Sequence, residues 1–165
     1  MIGESPPARR PLRVAVVGPG ECDAATELAA EEVGRLLAQA GAVVLTGGLD
    51  GVMAAAARGA AAGGGVSVGL LPDVTDGRAS PAVGVALPTG LGEARDAVLV
   101  TAADAVLAVG GSWGTLAEVA LARRLGRLVV ALVPSAGVGA AAGCVADSPA
   151  DAVRSVVTAA GRRSG

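Results

Sequence analysis

The chain contains no histidine and no lysine; across 165 residues all thirteen basic side chains are arginine. Those two absences exclude a Schiff-base lysine for pyridoxal phosphate, the lysine of a Walker loop, an imidazole general base and imidazole metal ligands. Any chemistry therefore rests on Asp, Glu, Arg, Ser, Thr and backbone amides. Phenylalanine and tyrosine are also missing, and Trp113 is the lone aromatic residue. The core must be built from Val, Leu and Ala, and a stacking platform for single-stranded nucleic acid is not expected. The net charge is −2 and the arginines form no long basic run, which gives no nucleic-acid footprint. Two cysteines, Cys22 and Cys144, are too few for a zinc site or a disulfide framework, so both read as reduced thiols and no metal is expected. No apolar run reaches the roughly 18 residues of a membrane span, because Asp104 and glycine corners interrupt the longest candidate. Residues 1–11 are polar and proline-rich, lack the apolar centre of a signal peptide and read as a disordered tail. A cytoplasmic protein with no membrane partner is expected.

What is present is aliphatic and glycine-rich. Apolar residues make up 52% of the chain, and its 26 glycines are roughly twice the ordinary share of about 7%. Strand and helix patterns alternate. Short β-branched runs at 12–17, 42–46, 65–71, 82–87, 105–109 and 128–133 predict strands, and Val145 fits a short edge strand. Helical spacing follows Asp23, opens through "GGLDGVMAAAARGA", and returns at 91–102 and 115–125. Ser148-Pro149 starts a last helix reaching about residue 160. Strands apolar on both faces and separated by helices predict an α/β fold, a doubly wound parallel sheet flanked by helices. It forms a single domain over 12–160, with 161–165 as a C-terminal tail. Ligands bind such sheets where strand carboxyl ends meet helix amino ends.

Three glycine corners sit at those ends: Gly18-Pro-Gly20, Gly47-Gly48-Leu-Asp-Gly51 and Gly110-Gly111-Ser112-Trp113-Gly114-Thr115. Helix amino termini expose unpaired N–H groups, and glycine lets an anion approach the backbone, so the corners predict a phosphate cradle. Each glycine could equally serve only to make a tight turn. The dinucleotide fingerprint is missing, since the first corner continues Glu-Cys-Asp23 where a third glycine is needed.

The segments "TGGLDGVMAAAARGA", "LPTGLGEARD" and "GGSWGTLAEVALA" resemble successive motifs of the LONELY GUY (LOG)-like superfamily, whose members were long labelled possible lysine decarboxylases. The resemblance covers most of 13–133 and implies a Rossmann-like fold. It also implies hydrolysis of the N-glycosidic bond of a nucleoside 5′-monophosphate, with Arg95 and Glu118 matching the catalytic pair and Gly114, Thr115 and Glu118 matching the G-T-x-x-E signature. No cofactor is expected, and the decarboxylase label fails for want of a lysine. The chain departs from the hydrolases in having Gly110-Gly111-Ser112-Trp113 for Pro-Gly-Gly-Tyr and Arg95-Asp96 for Arg-Lys. The phrase "PTGLGEARD" is closer to a branch near the molybdenum cofactor carrier proteins, which bind rather than hydrolyse. The alternative function is thus a non-catalytic binder of a nucleotide or of that cofactor.

In the hydrolase reading, amides of Gly111, Ser112, Gly114 and Thr115, with the Thr115 hydroxyl, hold the phosphate. Glu118 faces the ribose, Arg95 positions ribose or phosphate, and Gly47, Gly48 and Met53 form the opposite wall. Plainer roles stand beside these. Thr115-Leu-Ala-Glu118 also reads as a capping box, Arg95 as a surface partner of Glu93 or Asp96, and Met53 as core. Asp50 reads as an N-cap or a ribose contact, and Trp113 as a lid over the ligand or part of a subunit interface. The expected partner is a phosphorylated small molecule of nucleotide or pterin type. Apolar helices after "ARD" and "GGSWGT", together with the resemblance, imply a homodimer.

Overall fold

The computed structural model describes residues 10–162; of the tails expected at 1–11 and 161–165, residues 1–9 and 163–165 lie outside the described residues. Strands β1 (Arg13–Val17), β2 (Val43–Thr46), β3 (Ser67–Leu71), β4 (Val85–Pro88), β5 (Ala105–Val109), β6 (Leu128–Leu132) and β7 (Val145–Ala146) form one parallel sheet. The spatial order is β4-β3-β2-β1-β5-β6-β7. The chain walks outward from β1 to β4 and then returns to β5 on the other side of β1. The reversal of direction therefore lies between β1 and β5.

Alternation along the strands feeds two cores. Val14 and Val16 of β1 face one side with Leu107 and Val109, where α1 (Ala24–Gln39), α2 (Val52–Ala62) and α6 (Pro149–Arg162) supply Val33, Leu37, Ala55, Ala56 and Val156. Ala15 and Val17 face the other side, with Leu99 of α3 (Arg95–Ala102), Val119 of α4 (Trp113–Arg124) and Val138 of α5 (Ala136–Ala142). With no ring to fill space, the layers close by approaching one another. A Cβ on Gly34 would strike the Ala56 carbonyl oxygen, and one on Gly59 would strike that of Glu31, so α1 and α2 lie backbone against backbone.

Element order follows the sequence reading, with three differences. The stretch 91–102 is a short 3-10 turn at Gly92–Ala94 followed by α3, which begins at Arg95. The β3-to-β4 crossover carries no helix. Helix α5 was not expected. At the amino edge of the sheet, Arg10 Nη1 and Nη2 each donate to Asp104 at 2.7 Å, and the Arg13 amide donates to the same carboxylate at 2.9 Å. This tethers the segment leading into β1, and the arginines hold the Asp104 carboxyl well below the usual range.

Candidate functional site

Because β2, β1 and β5 are neighbours, the three glycine corners meet at the carboxyl edge, beside the reversal point. They are packed into one another. The Val52 amide donates to Pro19 O at 3.1 Å, and a Cβ on Gly51, whose φ is 60°, would lie 2.5 Å from Gly20 C. A Cβ on Gly18 would lie 2.7 Å from Val52 Cγ1, and one on Gly110 3.2 Å from Thr26 Cγ2. Gly18 and Gly51 are therefore required by packing, and Gly110 by its left-handed φ of 73°. The second corner is pinned by Thr46, whose Oγ1 accepts from the Gly48 amide at 3.0 Å, and by the Ser80 amide, which donates to Gly48 O at 2.9 Å. Gly51 occupies the N-cap position of α2 with no side-chain cap, so the capping role considered for Asp50, which is exposed, is not realised.

The start of α4 is organised by Ser112. Its side chain is the N-cap, accepting from the Thr115 amide at 3.2 Å and lying 3.0 Å from Thr115 Oγ1. Two expectations change as a result. The buried Thr115 is engaged with Ser112, and the Thr115–Glu118 capping box is not formed because the helix begins three residues earlier. Among the described residues no hydrogen bond engages the amides of Gly111, Trp113 or Gly114. These are the unsatisfied donors of a helix amino end, where anions are favoured. Gly114 leaves the approach open, since its Cβ would meet nothing nearer than Ser112 Oγ at 3.7 Å. Gly111 backs onto Ser135, whose Cβ would be 2.9 Å from an added methyl. Trp113 projects into solvent, 87% exposed.

Arg95 stands opposite. Only 9% exposed, it ion-pairs through Nη1 with Asp96, and its buried Nε has no hydrogen-bond partner. The pairing with Asp96 considered for Arg95 is formed, but with the guanidinium buried and not at the surface. Its Nη2 packs over Gly47, where an added Cβ would lie 3.0 Å away and 2.6 Å from Met53 Sδ. Met53 Cε in turn lies 3.9 Å from where a Gly20 Cβ would be. Met53 thus lines the edge between the first two corners and belongs to neither core cluster. Burial pulls the Arg95 pKa down, while Glu118 and Glu93 oppose that. Glu118, partly buried on α4, has no hydrogen-bond partner among the described residues. Burial pushes its carboxyl up to about 7, with the Arg95 charge acting in the other direction. The site also uses Asp96, as the partner of Arg95, and Ser135, as backing for Gly111. Asp96 carried a signal in the Arg95-Asp96 departure from the hydrolase pattern; Ser135 carried none, because it reaches the cradle from a different strand end.

Known proteins share this fold. The molybdenum cofactor binding protein of the phototrophic bacterium Rippkaea orientalis shares 36% identity and a TM-score of 0.83, with 91% of this chain and 98% of that one covered. The Moco carrier protein of Chlamydomonas reinhardtii shares 34% identity and a TM-score of 0.82, over 91% of this chain and 99% of that one. An uncharacterised protein of Archaeoglobus fulgidus is 40% identical over 123 residues, 74% of this chain and 81% of its own. Residues 11–160 match the SLOG cluster4 family, and the chain belongs to that family, within the LOG-like Rossmann-type superfamily.

Proposed function

We propose that this protein binds and carries a phosphorylated pterin-type cofactor of the molybdenum cofactor class at the carboxyl edge of its sheet. The observation that carries this reading is the pairing of two unsatisfied donor groups. The free amides of Gly111, Trp113 and Gly114 stand at the end of β5, and the unpaired Arg95 Nε stands near the end of β2. Those strand ends are two sheet spacings apart, about 10 Å, which is roughly the length of a phosphorylated bicycle. The phosphate belongs at the helix amino end and the ring across β1 and β2, against Gly20, Gly47 and Met53. Among the described residues no three His, Cys, Asp or Glu are grouped to hold a metal.

One observation favours N-glycosidic hydrolysis as a second reading. A carboxyl pushed up to about 7 beside an arginine can exchange a proton near neutrality, as a general acid must. Incubation with hydroxymethylpterin phosphate and with nucleoside 5′-monophosphates separates the two readings. A carrier retains ligand and releases no product, whereas a hydrolase releases free base. Gly114→Asp tests the cradle itself. The new side chain enters open space and places a negative charge at a helix amino end, so stability is kept or raised by about 0.3–1 kcal/mol. Affinity for the phosphate ester should fall at least about tenfold, and an unchanged affinity would remove the cradle from the reading.

The homodimer also belongs to this proposal. Trp113, Ala117 and Ala120 form an exposed apolar line along α4, and Val98 on the neighbouring α3 is 43% exposed. These small and apolar side chains suit a second copy of the chain.

A further inference from the structure

We infer that the amino edge of the sheet, opposite the cradle, docks a carboxylate-rich segment of a partner protein through Arg13 and Arg127, with Arg10 beside them. Strands of five residues put the two edges roughly 17 Å apart, so a partner held there leaves the ligand mouth open.

Unpaired charge is sorted between the two edges. Among the described residues Arg123, Arg124 and Arg127 form no ion pair, while every other arginine whose side chain is described has a carboxylate partner. All three sit where α4 ends and β6 begins. The carboxylates that form no ion pair lie toward the opposite edge. Glu21, Asp50, Asp76 and Glu93 are among them, on the turns and loops that follow β1, β2, β3 and β4. A chain whose net charge is −2 thus presents one positive face.

Register brings the cations into one place. Val14 pairs with Ala105 and Ala105 with Leu128, so the residues before them, Arg13, Asp104 and Arg127, lie in one row across the starts of β1, β5 and β6. Alternation turns all three toward the face that α3 and α4 cover. Asp104 does not neutralise the row. Arg10 takes both of its oxygens at 2.7 Å, and the Arg13 guanidinium reaches it only at 3.4 Å. Arg127 donates Nη2 to Thr101 O at 2.8 Å, which fixes the side chain without giving it a carboxylate. The Nε atoms of Arg13 and Arg127 are sealed and take no part in docking. Their Nη1 atoms are not sealed and make no bond among the described residues, and the Arg13 side chain is 41% exposed.

The row therefore offers two held guanidinium forks about 10 Å apart, the width of two strand spacings. Each fork can take two carboxylate oxygens, so acidic side chains spaced along one segment match it. A nucleic acid is disfavoured on two counts. The lone aromatic residue, Trp113, is at the other end of α4, which leaves no ring for a base to stack on, and a long polyanion would meet the field of the acidic edge.

The test titrates a fluorescent octaglutamate peptide and a single-stranded oligothymidylate into the full-length protein at low ionic strength. Octaglutamate is expected to bind, and to bind more weakly as salt is added. The double variant Arg13→Gln/Arg127→Gln should weaken it at least about tenfold, whereas Arg78→Gln/Arg154→Gln, which removes the same charge from two exposed arginines elsewhere, should stay within about threefold. Should the first double variant melt far below the parent, Arg13→Gln alone carries the test, with a loss of about threefold expected. Absence of octaglutamate binding, or equal losses in the two double variants, overturns the inference. Tighter binding of oligothymidylate that Arg13→Gln/Arg127→Gln abolishes overturns it in favour of a nucleic-acid surface. An assembly of more than two chains that the same variant breaks up in sedimentation overturns it in favour of a second copy. Hydroxymethylpterin phosphate should bind parent and variants alike, which keeps this outcome separate from that of the carrier reading.

Discussion

Replacing Glu118 by Gln should stabilise the ligand-free protein, by an amount that grows with pH. The Glu118 carboxyl titrates at an ordinary 4.5 in the unfolded chain and at about 7 in the folded one, because burial disfavours its charged form. Between those values the folded state holds a proton that the unfolded state has released, so the parent loses stability as pH rises through this window. At 1.36 kcal/mol per pH unit, the full interval is worth about 3 kcal/mol. Gln has the shape of the protonated acid and never ionises, so the variant escapes that loss. Near pH 8 it should be more stable by about 3 kcal/mol, which for a domain of this size is a rise in melting temperature of about 6–12 °C. Near pH 5 the gain should shrink below about 1 kcal/mol. Paired thermal melts across this range measure the difference, and comparing variant with parent cancels every other titrating group. A gain that stays constant with pH, or a loss of stability near pH 8, would refute the account of Glu118 as a partly buried carboxyl lacking a donor.

Two further outcomes follow from the same site. Intrinsic fluorescence reports on Trp113 alone, and its exposed indole should emit as a solvated ring until phosphate ester binds at the adjacent amides; saturation that leaves intensity and wavelength unchanged would separate Trp113 from the cradle. Sedimentation at micromolar concentration should give the mass of two chains, and Ala120→Glu on the exposed line of α4 should shift it to one.

The elements that could be read without the structure are those whose signal is local. Strand β5 was placed at its own bounds because an apolar run between Asp104 and Gly110 can be nothing longer. Helix α5 was missed for the opposite reason. Its sequence, AGVGAAA, has two glycines and no polar face to define a period, and it is helical because Val138 and Ala142 bury against β6 and α4. The cap of α4 shows a third case. Ser112 and Thr115 are both good capping residues, and local preference cannot choose between them. Ser112 won, which moved Thr115 inside the helix and left Glu118 without the backbone partner a capping box would have given it.

The same division holds for function. The sequence alone determined the chemistry available, through its missing lysine and histidine, and it determined the alternation of strands and helices and the glycine corners between them, since each depends on residue type and near-neighbour spacing. It also carried Arg95 and Glu118 as a pair, through a family resemblance. Only the tertiary structure decided their condition. Arg95 is buried because Gly47, from a distant strand end, leaves room for its guanidinium, and Glu118 is unpartnered because the helix it sits on starts at Ser112. Burial and the absence of a partner are properties of the neighbours that folding brings, and no window of sequence around either residue contains those neighbours.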